Sequence, residues 1–259
     1  MMIGWAAYSV LIALSTWWMA EHVRIAGAEG PPQILLRAAN AWVIIAGALA
    51  VLLGLIAASF FDPETERLWG ATAIGLASAA SASMAVWRRR ELWAFVSGLG
   101  VNVAASFTVS YFEPDLDRWS GFLLLFQANV IAGAVVALAW LAVSKRLYAL
   151  RDRNVWSSPL LSLQIALTSI GAMALVVPTA VTLITSPSDL PLETLALIGS
   201  APGTMAVLLA ALAAGWYTFQ LRRQNVVDVI ALTAMAGGVL LGAASVEWSE
   251  WFAQDAWPV

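Results

Sequence analysis

Residues 60–70, FFDPETERLWG, and residues 111–121, YFEPDLDRWSG, repeat one pattern at an offset of 51 positions: aromatic, Phe, acid, Pro, acid, any residue, acid, Arg and a closing Gly. The six carboxylates of the repeat are Asp62, Glu64, Glu66, Glu113, Asp115 and Asp117. As hard oxygen ligands they suit Ca²⁺, yet no calcium-loop spacing organises them. As neighbouring acids they suit proton transfer. The same residues also spell the start of a helix, with Pro in the first turn and acids at the positive end of the helix dipole. Arg67 and Arg118 follow an acid at three positions, and Trp69 and Trp119 then mark the membrane interface. The helix start is the preferred reading, with metal binding or partner docking at the outer face as weaker roles for these acids.

Other chemistry is constrained by what the chain lacks. There is no cysteine, so thiolate nucleophiles, cysteine metal sites and iron–sulfur clusters are not expected. The only histidine, His22, argues against bis-histidine haem and against a Ser-His intramembrane protease. The only lysine, Lys145, lies at the end of an apolar run, which argues against a retinal Schiff base. Polar amides do fall inside apolar runs, notably Asn102, Gln127 and Asn129, with Asn40 and Gln164 nearer the run ends. In hydrocarbon, such amides serve most often as interhelical hydrogen-bond partners. Lining a solute path is their alternative role. The arginine run Arg88, Arg89 and Arg90 is a candidate contact for lipid headgroups.

These residues must be positioned by membrane-spanning helices. Of 259 residues, 61% are hydrophobic and 11% charged, and the mean hydropathy is +0.81. Such a composition is that of an integral membrane protein. Long unbroken apolar runs select helices over the short alternating strands of a barrel. Eight runs qualify, at about 2–20, 35–60, 68–87, 92–112, 121–143, 158–185, 202–221 and 226–246. Residues 1–20 lack the basic start of a signal peptide and read as the first span. Ser200-Ala201-Pro202-Gly203 reads as a cap followed by a first-turn Pro for the seventh. The expected fold is an all-α polytopic bundle of about eight transmembrane helices arranged as four helical hairpins, over residues 1–259, with no soluble domain. Little chain precedes the first span, so the native polypeptide is open to being longer.

Sidedness follows from the charges. Of thirteen basic residues, only Arg67 and Arg118 fall in the second, fourth and sixth loops or the C-terminal tail. The other loops hold the rest. Basic loops are retained in the cytoplasm, which places both termini on the outer side. The fourteen tryptophans cluster toward the run ends, as interfacial belts require. Gly75, Ala79 and Ser83, at four-residue spacing, form an expected helix-packing face, as do Gly238 and Gly242. Pro178 is expected to kink the sixth helix.

Three functions are compatible with these features. The leading one is a non-catalytic multi-pass membrane subunit or scaffold packing against partner subunits, copies of itself, pigments or lipids in a larger membrane assembly. Second is a transporter for a neutral or lipid-like solute, lined by Asn102, Gln127 and Asn129. Third is a membrane-embedded enzyme acting on a lipid-linked substrate through the outer acids. No nucleic-acid partner is expected.

Overall fold

The computed structural model describes residues 2–26, 33–60, 63–112, 119–148, 158–185, 200–221 and residue 237. Among the described residues the helices are α1 (Met2–Ala26), α2 (Gln33–Phe60), α3 (Pro63–Arg88), α4 (Glu91–Phe112), α5 (Trp119–Tyr148), α6 (Pro159–Thr185) and α7 (Ala201–Leu221). No strand occurs among the described residues. Five helices carry stretches long and apolar enough to cross a membrane: Arg67–Arg88, Glu91–Phe112, Trp119–Ser144, Pro159–Val177 and Pro202–Phe219. In α1 and α2 the described apolar stretches are shorter, Ala6–Thr16 and Asn40–Ile56. The expected eighth span is represented by Gly237 alone, which is helical, and a β-carbon added there would collide with Val176 of α6.

Local signals set the helix ends. Pro63 opens α3 and Pro159 opens α6, each where its missing N–H removes nothing from the ladder. The Ser158 hydroxyl accepts the Leu161 N–H at 3.2 Å, a side-chain cap on α6. At α7 the Ser200 carbonyl accepts the Thr204 N–H at 2.9 Å, so Ser200 is the capping residue and Pro202 lies in the first turn, as its sequence implies.

The chain forms two compact units, Met1–Phe112 with Ala142–Leu161, and Glu113–Leu141 with Ser162–Val259. In the first, α3 packs against α1, α2 and α4. Ala6, Ala50, Ala73 and Ala77 make one buried cluster, and Ala13, Val43, Ala80 and Met84 make a second. These pairings run α2 and α3 antiparallel. Side chains this small draw the backbones together: a β-carbon on Gly54 would sit 3.2 Å from the Gly70 carbonyl oxygen. The second unit centres on Leu123, Val130, Leu175, Val176, Val207 and neighbouring alanines of α5, α6 and α7.

Burial sorts the small residues of α3 and the tryptophans. Within the chain α3 packs through Gly70, Ala73, Ala77, Ala80 and Met84, whereas Ala79 is exposed and Gly75 opens onto empty space. Small residues surround α3, so spacing alone did not distinguish its faces. Trp140 is 3% exposed, so its ring is covered by protein and does not face outward as an interfacial indole would. Trp18, Trp42, Trp69 and Trp119 are exposed.

The two faces of α3 give opposite mutational outcomes. Gly100 of α4 lies against Ser78 so closely that any β-carbon collides with it. Gly100→Leu is therefore expected to destabilise the first unit by about 1–3 kcal/mol. Gly75→Ala meets nothing and is expected to be neutral or to stabilise by up to about 1 kcal/mol. Thermal unfolding of both variants in one detergent checks the pair.

Candidate functional site

The α3–α4 turn concentrates the unusual features of the first unit. Arg89 has φ of 53°, the only non-glycine residue in the left-handed region among the described residues. The Arg90 N–H donates to the Ala85 carbonyl at 3.3 Å, closing the six-residue loop by which helices end on a left-handed residue. The Trp93 N–H then donates to the Arg90 carbonyl at 3.2 Å and starts α4, with Glu91 in its first turn. Glycine is the usual residue at such a left-handed position, and an L side chain there costs about 1–2 kcal/mol. Three arginines are thereby folded onto one short turn. The Arg88 guanidinium lies 5.9 Å from the centre of the Trp87 ring. The Arg89 Nη1 is buried and has no hydrogen-bond partner among the described residues.

Beside this turn runs a groove of about 380 Å³ between α2 and α4, floored by Ala77, Ser78, Ala80 and Ser81 of α3. Its α2 wall extends from Val43 to Leu55, and its α4 wall from Trp93 to Gly100. The floor is low because α3 has no large side chain there. Trp93 and Val43 meet the Ala80–Met84 cluster, which puts that end of the groove about one helical turn from the arginines.

The opposite end of the α3–α4 pair is tied by Arg67, whose Nη1 donates to the Ser110 carbonyl at 2.9 Å. Ser110 lies in the last turn of α4, where carbonyls have no partner in the helix and a cation is favoured by the dipole. Between the two ends, the Ser97 hydroxyl donates to the Ser78 carbonyl at 2.8 Å. Neither contact is evident in the sequence, although the repeated Arg67 marked the position.

The expected solute-lining amides are differently placed. Asn102 donates to the Gly98 carbonyl at 2.9 Å, and Asn129 to the Leu125 carbonyl at 2.9 Å, each within its own helix. Gln127 is 1% exposed. None of the three lines the groove. Asn102 belongs to the first unit, and Gln127 and Asn129 to the second. Gln164 makes an interhelical bond of the expected kind, donating to the Gly133 carbonyl of α5 at 3.2 Å. The hydroxyls of Ser162 and Tyr217 bond between α6 and α7.

Of the outer acids, Asp62, Glu113, Asp115 and Asp117 lie outside the described residues. Glu64 and Glu66 fall in the first turns of α3, where an acid favours the helix start, and their side chains lie outside the described set. Gly238 and Gly242 also lie outside it, as does the Pro178 side chain, although the α6 helix continues through Pro178. Among the described residues, no three of His, Cys, Asp or Glu are grouped to hold a metal. Comparisons with protein-family models, with curated proteins and with solved structures find no match.

The two ends of the α3–α4 pair respond oppositely to substitution. Arg67→Ala is expected to lower stability by about 1 kcal/mol, the scale of a capping interaction at a partly wet helix end. Arg89→Gly relieves the left-handed backbone and is expected to raise it by about 1 kcal/mol. Denaturation midpoints of the two variants against the parent check both signs.

Proposed function

We propose that the chain is a non-catalytic multi-pass membrane subunit or scaffold, working by packing against partner subunits, pigments or lipids in a larger membrane assembly. The observation that carries this reading is the use made of polar side chains inside the helices. Asn102, Asn129, Gln164, Ser97 and Thr168 donate to backbone carbonyls of their own or an adjacent helix. Ser97 and Gln164 tie one helix to the next, and the other donors are satisfied within their own helices, which favours packing over presentation to a solute. A transporter reading needs amides that converge on a polar cavity, and the described groove is lined almost wholly by apolar side chains.

In this reading the eight spans form four hairpins of one orientation. The α3–α4 pair is the pattern for the others. Basic loops face the cytoplasm, where Arg88, Arg89 and Arg90 hold the second hairpin, and both termini lie outside. The repeated acidic segments at 62–66 and 113–117 then stand on the outer face as docking points. Hairpins that keep one orientation differ from the inverted repeats around which many transporters build a midplane site.

Two measurements test this. Purification of the chain from native membranes in mild detergent is expected to bring reproducible partner subunits, identified by mass spectrometry; a lone chain whose amides line a wet cavity would replace the scaffold with transport. The chain has no cysteine of its own, so single cysteines at Thr65 and Arg89 report sidedness without background. An impermeant thiol reagent is expected to label them from opposite faces, and labelling from one face refutes the hairpin topology.

A further inference from the structure

We propose that the α3–α4 turn and the groove beside it form a seat for one anionic phospholipid, its phosphate held by Arg88, Arg89 and Arg90 and one acyl chain lying between α2 and α4 over α3. The site goes beyond the scaffold reading. It rests on the first unit lying in a bilayer and needs no partner subunit.

Three observations meet at this place. The turn gathers three consecutive guanidinium groups, and it does so through a left-handed Arg89 where glycine would be less strained. A strained backbone kept at a charged residue points to use of the side chain. The buried Arg89 Nη1 lacks a hydrogen-bond acceptor among the described residues, and a phosphate supplies oxygens suited to guanidinium groups. The groove then begins about one turn away, at Trp93 and Val43. Half-buried Trp87 and Trp93 stand beside the arginines at the ends of the apolar stretches of α3 and α4, a placement suited to the membrane interface, where a headgroup lies.

The dimensions select a lipid over a second copy of the chain. From Val43 to Leu55 is twelve steps along α2, or about 18 Å. One leaflet of hydrocarbon is about 15 Å deep, half of a core of about 30 Å. A docked transmembrane helix would need a groove running the full depth. An acyl chain needs only the half nearest its headgroup, and the groove occupies that half. The floor residues Ala77, Ala80 and Ser81 are small enough to leave room for it, and the walls present Ile44, Leu52 and Val96.

The test uses the full chain reconstituted in nanodiscs of equal phosphatidylglycerol and phosphatidylcholine, released into the gas phase, and scored for retained lipid by native mass spectrometry. The parent is expected to retain phosphatidylglycerol at least about tenfold over phosphatidylcholine. The triple variant Arg88→Gln, Arg89→Gln, Arg90→Gln is expected to lose that preference. Arg89→Gly is expected to reduce it severalfold while unfolding no earlier than the parent, which separates lipid binding from damage to the fold. Gly47→Leu places a side chain in the groove at a position where a β-carbon meets nothing within 4 Å, and is expected to abolish retention of either lipid with the helices intact by circular dichroism. Equal retention of the two lipids by the parent overturns the proposal. So does retention unchanged by Gly47→Leu, or a dimer that carries no lipid. A lone chain that keeps its lipid counts against partner subunits and for the lipid seat, so the two readings fail separately.

Discussion

The first unit depends on the smallness of α3. Leucine or phenylalanine on the Gly70–Ala73–Ala77–Ala80 line would hold α1, α2 and α4 at an ordinary interhelical distance. Alanine and glycine let them close in, to the point where a single carbon on Gly100 has no room beside Ser78. In a bilayer no difference in hydrophobicity drives helix against helix, so close van der Waals contact and hydrogen bonds must supply the association. The Ser97 to Ser78 bond is possible only because the two backbones approach so closely. The same smallness leaves the floor of the groove low. Packing and vacancy are two consequences of one residue choice.

Hydrocarbon imposes the second constraint, since it offers nothing to an unpaired polar group. The helices answer by returning side-chain donors to carbonyls. Ser9, Thr16, Thr72, Ser78, Ser83, Ser106 and Thr108 bond back three or four positions within their own helices. Gln164 and Ser97 reach across to the next one. Most of these hydroxyls and amides are thereby satisfied by backbone, with Asn40 Oδ1, Trp140 Nε1 and Ser169 Oγ as buried exceptions among the described residues, and charged groups stand at the helix ends. Arg67 donates to α4. At the α3–α4 turn the Arg89 Nη1 has no partner among the described residues, and there the fold and the proposed lipid site meet.

Much of the architecture was legible in the sequence, for definite reasons. Apolar runs located the helices because a span requires about twenty apolar residues whatever its neighbours are. Pro63 and the Ser200–Pro202 pair located helix starts because a missing N–H is tolerated at so few positions. What depends on partners was not legible. The line Gly75, Ala79, Ser83 and the line Gly70, Ala73, Ala77 are equally small, and only the neighbouring helices decide which is buried. Trp140 has the same interfacial preference as Trp119, yet one is buried in protein and the other is exposed. The RRR run announced a basic turn, but the left-handed Arg89 and the groove beside it arise only when α2, α3 and α4 come together.

A density map of the full chain in a bilayer containing anionic phospholipid bears most directly on the claim that α3 organises a packing unit with a lipid-filled groove and no solute path. The map is expected to show Gly100 against Ser78, a continuous tail between α2 and α4 over Ala77 and Ala80, and headgroup density on the Arg88–Arg90 turn. A water-filled passage reaching Asn102, with α3 held away from α4, would contradict it.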